Sequence, residues 1–237
     1  MATKIGPVPE HLAIIPDGNR RWSRSHSLAL LKGYDMGIKK FISVSEWCKK
    51  LGVKTVSVWA LSTENVKSRT SAELNVLYSL YVRACDDPEI IKTLDRNKSR
   101  VNVIGDKRLL PKKVRQAFDR LEARTRHYKE FTINLLVGYG GKDDLLHAAK
   151  RLYLDAIHKR IKSINDRIIR SYLRTSVLPD VDLIIRTSGE FRTSGLLPWQ
   201  SDYSELYFSK KYWPDFGKND LEAALRTFSK RQRRFGK

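Results

Sequence analysis

The sequence predicts an α/β protein built on a mostly parallel sheet. Short apolar, β-branched runs alternate with longer segments of helical periodicity, the pattern of strands joined by crossover helices. Polar residues gather just after the apolar runs, on the edge that the carboxyl ends of parallel strands share. No Gly/Ser/Pro tract, repeat or low-complexity block divides the 237 residues. A single domain over residues 1–237 is therefore expected.

The elements follow in order. Leu12 to Ile15 reads as a buried strand, ended by Pro16, which has no amide to offer a ladder. Met36 to Leu51 is amphipathic, with Ile38, Phe41, Ile42, Val44, Ser45 and Cys48 on one broad face and Gly52 as its stop. Thr55 to Leu61 is a β-branched, aromatic strand. From Ser71 onward Leu74, Leu77, Leu80, Tyr81 and Ala84 recur at helical spacing, with an interruption near Asp87-Pro88. Strands at Val101 to Ile104 and Phe131 to Val137 flank a helix that begins near Pro111. Gly138-Tyr139-Gly140-Gly141 turns the chain into a helix from Asp143 to Leu154, and Asn165 to Arg174 supplies another. Val181 to Ile185 and Leu206 to Phe208 complete the strands, and Leu221 to Phe228 lies in a closing helix.

A net charge of +20 calls for an anionic partner: nucleic acid, lipid head groups or phosphorylated substrates. The densest basic groups are Lys112-Lys113, Lys159 to Lys162 and Lys230 to Arg234. No zinc-finger spacing, Lys/Arg-Gly-Phe strand motif or Gly-X-X-Gly clamp accompanies them, so specific nucleic-acid recognition has only electrostatics behind it. No segment has the apolar length of a membrane span or the pattern of a signal peptide, and a cytoplasmic location is expected. Cys48 and Cys85 read as reduced packing residues, and His11, His26, His127, His147 and His158 lack metal-ligand spacing.

The most informative segment is His11 to Trp22. Asp17 stands at the carboxyl end of the first strand. Gly18 permits a tight turn, Asn19 can cap the helix that follows, and Arg20 and Arg21 put fixed charge on its first turn. Free amides with arginines form a phosphate cradle. An aspartate beside such a cradle suits magnesium, which takes few protein carboxylates and shares its other positions with phosphate and water. Ser62-Thr63-Glu64-Asn65 ends the second strand, and Arg186 to Ser194 ends the penultimate one. The latter carries two arginines and several hydroxyls, a second anion site. Two such sites on one edge point to two diphosphate substrates.

These motifs resemble the cis-prenyltransferases, the undecaprenyl and dehydrodolichyl diphosphate synthases. The resemblance runs through His11 to Trp22, Ala60 to Asn65, Ile104-Gly105-Asp106, Tyr139-Gly140-Gly141 and Val181 to Phe208, which ends in Trp199-Gln200-Ser201-Asp202-Tyr203-Ser204-Glu205-Leu206-Tyr207-Phe208. It implies a homodimer around a six-stranded, mostly parallel sheet flanked by about seven helices, with a hydrophobic cleft for the prenyl tail. The implied reaction joins an allylic prenyl diphosphate to isopentenyl diphosphate with Mg2+ as cofactor. Asp17 resembles the indispensable magnesium-holding aspartate, and Glu205 the second metal-site acid. Gly18, Asn19, Arg20, Arg21 and Trp22 resemble the allylic diphosphate site. Arg186, Arg192, Thr193 and Ser194 resemble the isopentenyl diphosphate site. Ser62 and Asn65 match a polar pair near the reacting carbons, flanking Thr63 and Glu64, with Asn65 assigned to proton removal. Arg234-Phe235-Gly236 resembles an ending that reaches across the dimer. Association with an anionic membrane surface would account for part of the charge.

The chain departs from the family pattern at several positions. Tyr34 replaces a common histidine, Leu30 an arginine, Val66 an aromatic residue, and Gly138 and Phe191 a common Asn and His. Arg69 aligns with the next family arginine only across a one-residue insertion. Tyr34 and Arg69 remain expected substrate-binding residues. The expectation is retained catalysis with a changed donor or acceptor, such as a short product or another prenyl acceptor. A non-catalytic partner subunit and a basic RNA-binding protein are the other classes the sequence admits.

Overall fold

A computed structural model describes residues 6–161 and 163–231. The chain runs β1 (His11–Ile15), α1 (Asn19–Ser25), α2 (Leu30–Lys50), β2 (Thr55–Ser62), α3 (Thr63–Ser68), α4 (Ser71–Asp86) and α5 (Pro88–Arg96). It continues through β3 (Ser99–Ile104), α6 (Lys112–Thr125), β4 (Phe131–Tyr139), α7 (Gly141–Ile157), α8 (Asp166–Tyr172), β5 (Leu183–Arg186), β6 (Glu205–Phe208) and α9 (Lys218–Lys230). The strands form one sheet in the order β3-β4-β2-β1-β5-β6. Every described pairing is parallel, so the sheet is wholly and not mostly parallel. The described residues carry nine α-helices where about seven were expected, the short α1 and α3 being the hardest to read from periodicity.

Strand order sets the site. From β1 the chain steps to β2 on one side and later returns to β5 on the other, so a topological switch point lies at the carboxyl end of β1. Asp17 stands there. One sheet face packs Leu12, Ile14, Val56, Val58, Ile133 and Ile185 against α2, α4, α6 and α9, through Val44, Leu80, Phe118 and Leu225. The opposite face is thinner, with Ala13, Ile15, Leu136 and Ile184 covered by the loop residues Leu178, Leu196 and Leu197. A buried polar line also crosses that sheet: His11 Nε2 lies 2.7 Å from Ser57 Oγ, Asn134 donates to Ser57 (3.1 Å), and Asn102 donates to Asn134 (2.8 Å). These bonds satisfy side chains that burial would otherwise penalise.

Local signals explain the helix boundaries. Asp87 accepts from the amides of Glu89 and Ile90, and Pro88 occupies the first helical position, so α4 and α5 part where the sequence placed the interruption. Ser62 caps α3 and Thr70 caps α4 through their hydroxyls. The helix expected from Met36 begins earlier, at Leu30. The expected cap at Asn19 is also corrected. Gly18, at φ 100°, is the N-cap residue, and Asn19 is already helical, its side-chain Nδ2 donating back to the Pro16 carbonyl at 2.9 Å. Cys48 and Cys85 are free and buried. No described helix is long and apolar enough to cross a membrane.

Candidate active site

The site grows from Asp17. Its carbonyl accepts from the Trp213 amide (3.0 Å) and the Thr187 hydroxyl (2.7 Å), which fixes the backbone just beyond β1. One carboxylate oxygen accepts from the Gly18 amide (2.7 Å) and Arg21 (3.3 Å), the other from Arg186 (2.9 Å). Arg186 is the last residue of β5, with 6% of its side chain exposed. Its other terminal nitrogen donates to the Arg192 carbonyl (2.7 Å) and Ser194 Oγ (2.8 Å). The two expected anion sites therefore meet at Asp17 and Arg186, joined by charge-assisted hydrogen bonds. Arg192 and Thr193 belong to the same helix-free crossover between β5 and β6, with the Arg192 side chain 60% exposed.

A second cluster closes the opposite side of the mouth. Glu73, in the first turn of α4, accepts from the Tyr34 hydroxyl (2.6 Å) and pairs with Arg69 (3.3 Å) and Arg20 (3.7 Å). The Arg69 guanidinium lies 5.5 Å from the Tyr34 ring centroid. Burial pushes the Tyr34 phenol well up from its usual range, so it stays protonated and donates at neutral pH.

Between these clusters opens a cavity of about 640 Å³. Its mouth is lined by Asp17, Gly18, Asn19, Arg20, Arg21, Tyr34, Ser62, Glu64, Asn65, Arg69, Arg186 and Ser194. Its walls are apolar and run between α2, α4 and the sheet to Leu94, Val101, Phe118, Leu121 and Ile133. Cys85 is part of that wall; burial pushes its thiol up to about 12, so it is an inert packing group.

Arg192 and Thr193 stand beside the cavity without lining it, and three further expected site residues take other places. Trp22 is buried away from the lining, its indole donating to Asp215 (2.7 Å) and stacking on His26, so it holds α1 in position. Thr63 is buried against the backbone of Gly140, where an added Cβ would come within 2.3 Å of its hydroxyl oxygen. Glu205 begins β6 beside Leu183, whereas Asp17 lies beyond the level of Arg186, at least about 10 Å farther along the strands at about 3.3 Å per residue. Glu205 is ion-paired with Arg231. One chain thus keeps the two expected metal acids apart, and no described group of three or more His, Cys, Asp or Glu is placed to hold a metal. Arg234-Phe235-Gly236 lies outside the described residues, as do Lys162 and the end of the basic tail.

Two acids in the site were not singled out from sequence. Glu73 carried a signal, since it stands four residues after Arg69, the C-cap residue of α3, and pairs with it across the short break before α4. Glu190 carried a fainter one, an acid inside a cationic loop: it pairs with Arg21 (2.9 Å) and Arg192 (2.6 Å). Hydrogen bonds from Arg192 and then Arg21 hold its carboxyl below the usual range.

Residues 15–236 match the family model described as putative undecaprenyl diphosphate synthase. An isoprenyl transferase of Thermus thermophilus is 41% identical over 240 residues, covering 99% of this chain and 91% of the relative. The tritrans,polycis-undecaprenyl-diphosphate synthase (geranylgeranyl-diphosphate specific) of Pyrococcus horikoshii is 42% identical over 236 residues, covering 99% and 89%. Lavandulyl diphosphate synthase from Lavandula x intermedia, solved in complex with dimethylallyl diphosphate, superposes with a TM-score of 0.92 at 31% identity, over 97% of this chain and 99% of that one. With sequence and fold in agreement over nearly its full length, the chain belongs to the undecaprenyl diphosphate synthase family of prenyltransferases.

Proposed function

We propose that the whole chain acts as one catalytic unit that condenses an allylic prenyl diphosphate with isopentenyl diphosphate, leaving a new cis double bond. The observation that carries this reading is one cavity with a cationic mouth and a long apolar interior, a shape that matches a diphosphate head and a prenyl tail. Sequence relatives named as isoprenyl and undecaprenyl diphosphate synthases support ordinary elongation over transfer to another acceptor. The intact Asp17–Arg186–Ser194 constellation supports an enzyme over a non-catalytic partner or an RNA-binding protein.

Asp17 fits a magnesium ion by its donor chemistry. It is a carboxylate with 30% of its surface exposed at the mouth, beside arginines suited to the phosphate oxygens that complete such a shell. Bound there, magnesium would supply Lewis-acid stabilisation of charge on the departing diphosphate. Arg20, Arg21 and the Gly18 turn bind the allylic diphosphate, while Arg186, Arg192, Thr193 and Ser194 bind that of the acceptor. This fixes the allylic C1 against the terminal alkene carbon of isopentenyl diphosphate. As the allylic C–O bond breaks and the new C–C bond forms, the arginines stabilise negative charge on the leaving group and one proton leaves the acceptor. Asn65 and Ser62, at the mouth of the apolar walls, orient the reacting carbons; a neutral amide is a poor base and acts by positioning. The walls exclude water from the cation-like carbon and take up the tail.

The decisive experiment incubates the full chain with magnesium, labelled isopentenyl diphosphate and dimethylallyl, farnesyl or geranylgeranyl diphosphate. Chain elongation is expected, with a loss of about 10³-fold in Asp17→Ala. Unchanged turnover in that variant, or none in the parent chain, overturns the assignment.

A further inference from the structure

Glu190 occupies an unusual position between the two anion sites. One carboxylate oxygen takes a hydrogen bond from Arg21, beside the allylic cradle, at 2.9 Å. The other takes one from Arg192, in the acceptor segment, at 2.6 Å. The bonds complete a closed ring: Arg186 to Asp17, Asp17 to Arg21, Arg21 to Glu190, Glu190 to Arg192, and the Arg192 carbonyl back to Arg186. A carboxylate bridging two guanidinium groups at these distances makes the contacts that phosphate oxygens would make.

The backbone around Glu190 is fixed by its own hydrogen bonds, whereas its side chain is held through two solvent-exposed arginines. Ser188 and Gly189 adopt positive φ (80° and 71°), and their amides donate to the Lys211 and Ser209 carbonyls. Among the described residues, the Glu190 carboxylate pairs with Arg21 and Arg192, whose side chains are 41% and 60% exposed. Exposed pairs of this kind are weak, so a diphosphate of higher charge can displace the carboxylate.

We propose that Glu190 is an internal counter-ion shared by both diphosphate sites, displaced on substrate binding, so that the two substrates bind cooperatively. The inference rests on the proposed two-diphosphate reading. When the first diphosphate draws one arginine away, its charge repels Glu190 and leaves the second arginine open. The second substrate then meets less competition. Glu190 acts through Arg21 and Arg192 and is a positioning residue.

The test is calorimetric titration of the full chain, in magnesium buffer, with isopentenyl diphosphate and with the unreactive farnesyl S-thiolodiphosphate. Each ligand is measured alone and with the other saturating. In the parent chain each ligand strengthens the other. Glu190→Gln is expected to tighten each ligand measured alone by about five-fold, the effect of removing two weak exposed pairs, and to shrink the mutual strengthening. Unchanged or weaker binding in the variant, or no coupling in the parent chain, overturns the proposal. Absence of prenyl transfer in the parent chain overturns the underlying reading instead; normal transfer with no tighter binding in Glu190→Gln overturns this inference alone.

Discussion

Arg186 carries more of the site than its single charge implies. Its guanidinium holds Asp17 with one terminal nitrogen and gathers the Arg192 carbonyl and Ser194 hydroxyl with the other. A lysine ammonium can keep the charge but not that planar fork. Arg186→Lys is therefore expected to raise KM for isopentenyl diphosphate at least ten-fold, at about 1.5 kcal/mol per lost charge-assisted bond, as initial-rate kinetics would register. Asp106 is the counterpart for stability. It accepts from Arg108 through both carboxylate oxygens (2.8 and 2.6 Å), and from Arg174 at 3.3 Å, tying the end of β3 to the segment after α8. The Arg108 hydrogen bonds hold its carboxyl down to about 2, against about 3.9 in an unfolded chain. A depressed folded value means the stabilisation is complete above about pH 4 and is lost as pH falls toward 2. Urea unfolding measured from pH 5 to pH 2 should fall less steeply in Asp106→Asn than in the parent chain; parallel curves would remove Asp106 from the acid-sensitive set.

At the scale of elements, the crossing of α1 and α2 decides whether the cradle exists. Gly33 and Gly37 let α2 approach α1 closely: a Cβ on Gly33 would lie 2.2 Å from Ser23 Oγ and 2.5 Å from the Asn19 carbonyl oxygen. The Gly37 carbonyl also accepts from the Trp213 indole (2.9 Å), whose own amide holds Asp17. Gly33→Ala must push α1 outward, with Arg20 and Arg21 on it. The expected result is a destabilisation of about 1–3 kcal/mol in chemical denaturation together with a rise in KM for the allylic substrate. A variant as stable and active as the parent would show the crossing to be adaptable. The same region marks what the sequence could tell. The strands were legible because β-branched runs such as Thr55 to Leu61 have no competing helical reading, and Asp87-Pro88 announced its own break. Helix α1 was not legible as a periodic segment, because seven residues hold barely two turns. Asp17, Arg186 and Ser194 were legible as strand-end polar residues. Glu73 and Glu190 left fainter signals, since their roles come from pairing with arginines brought together by the fold.

At the scale of the molecule, the described surface leaves one helix incompletely covered. Along α7, Leu146, Tyr153, Leu154 and Ile157 are each more than half exposed and recur at spacings that place them on one helical face. Phe191 and Tyr203, in the β5–β6 crossover, are also largely exposed. An exposed apolar helix face such as that of α7 is costly in water and is the usual mark of an interface. A second copy is the partner we propose, in line with the homodimer implied by the sequence resemblance. A dimer has a further chemical rationale: one chain holds Glu205 apart from Asp17, so a metal site using both acids would need a second copy to complete it. Sedimentation velocity should then give twice the 27.4 kDa chain mass, and Leu146→Glu combined with Ile157→Glu should give the single-chain mass with unchanged circular dichroism. Loss of prenyl transfer in that monomer, with isopentenyl diphosphate binding retained, would place part of the machinery across the interface. A parent chain that sediments as a monomer while fully active would show that each chain works alone, and that the apolar face of α7 serves something other than self-association.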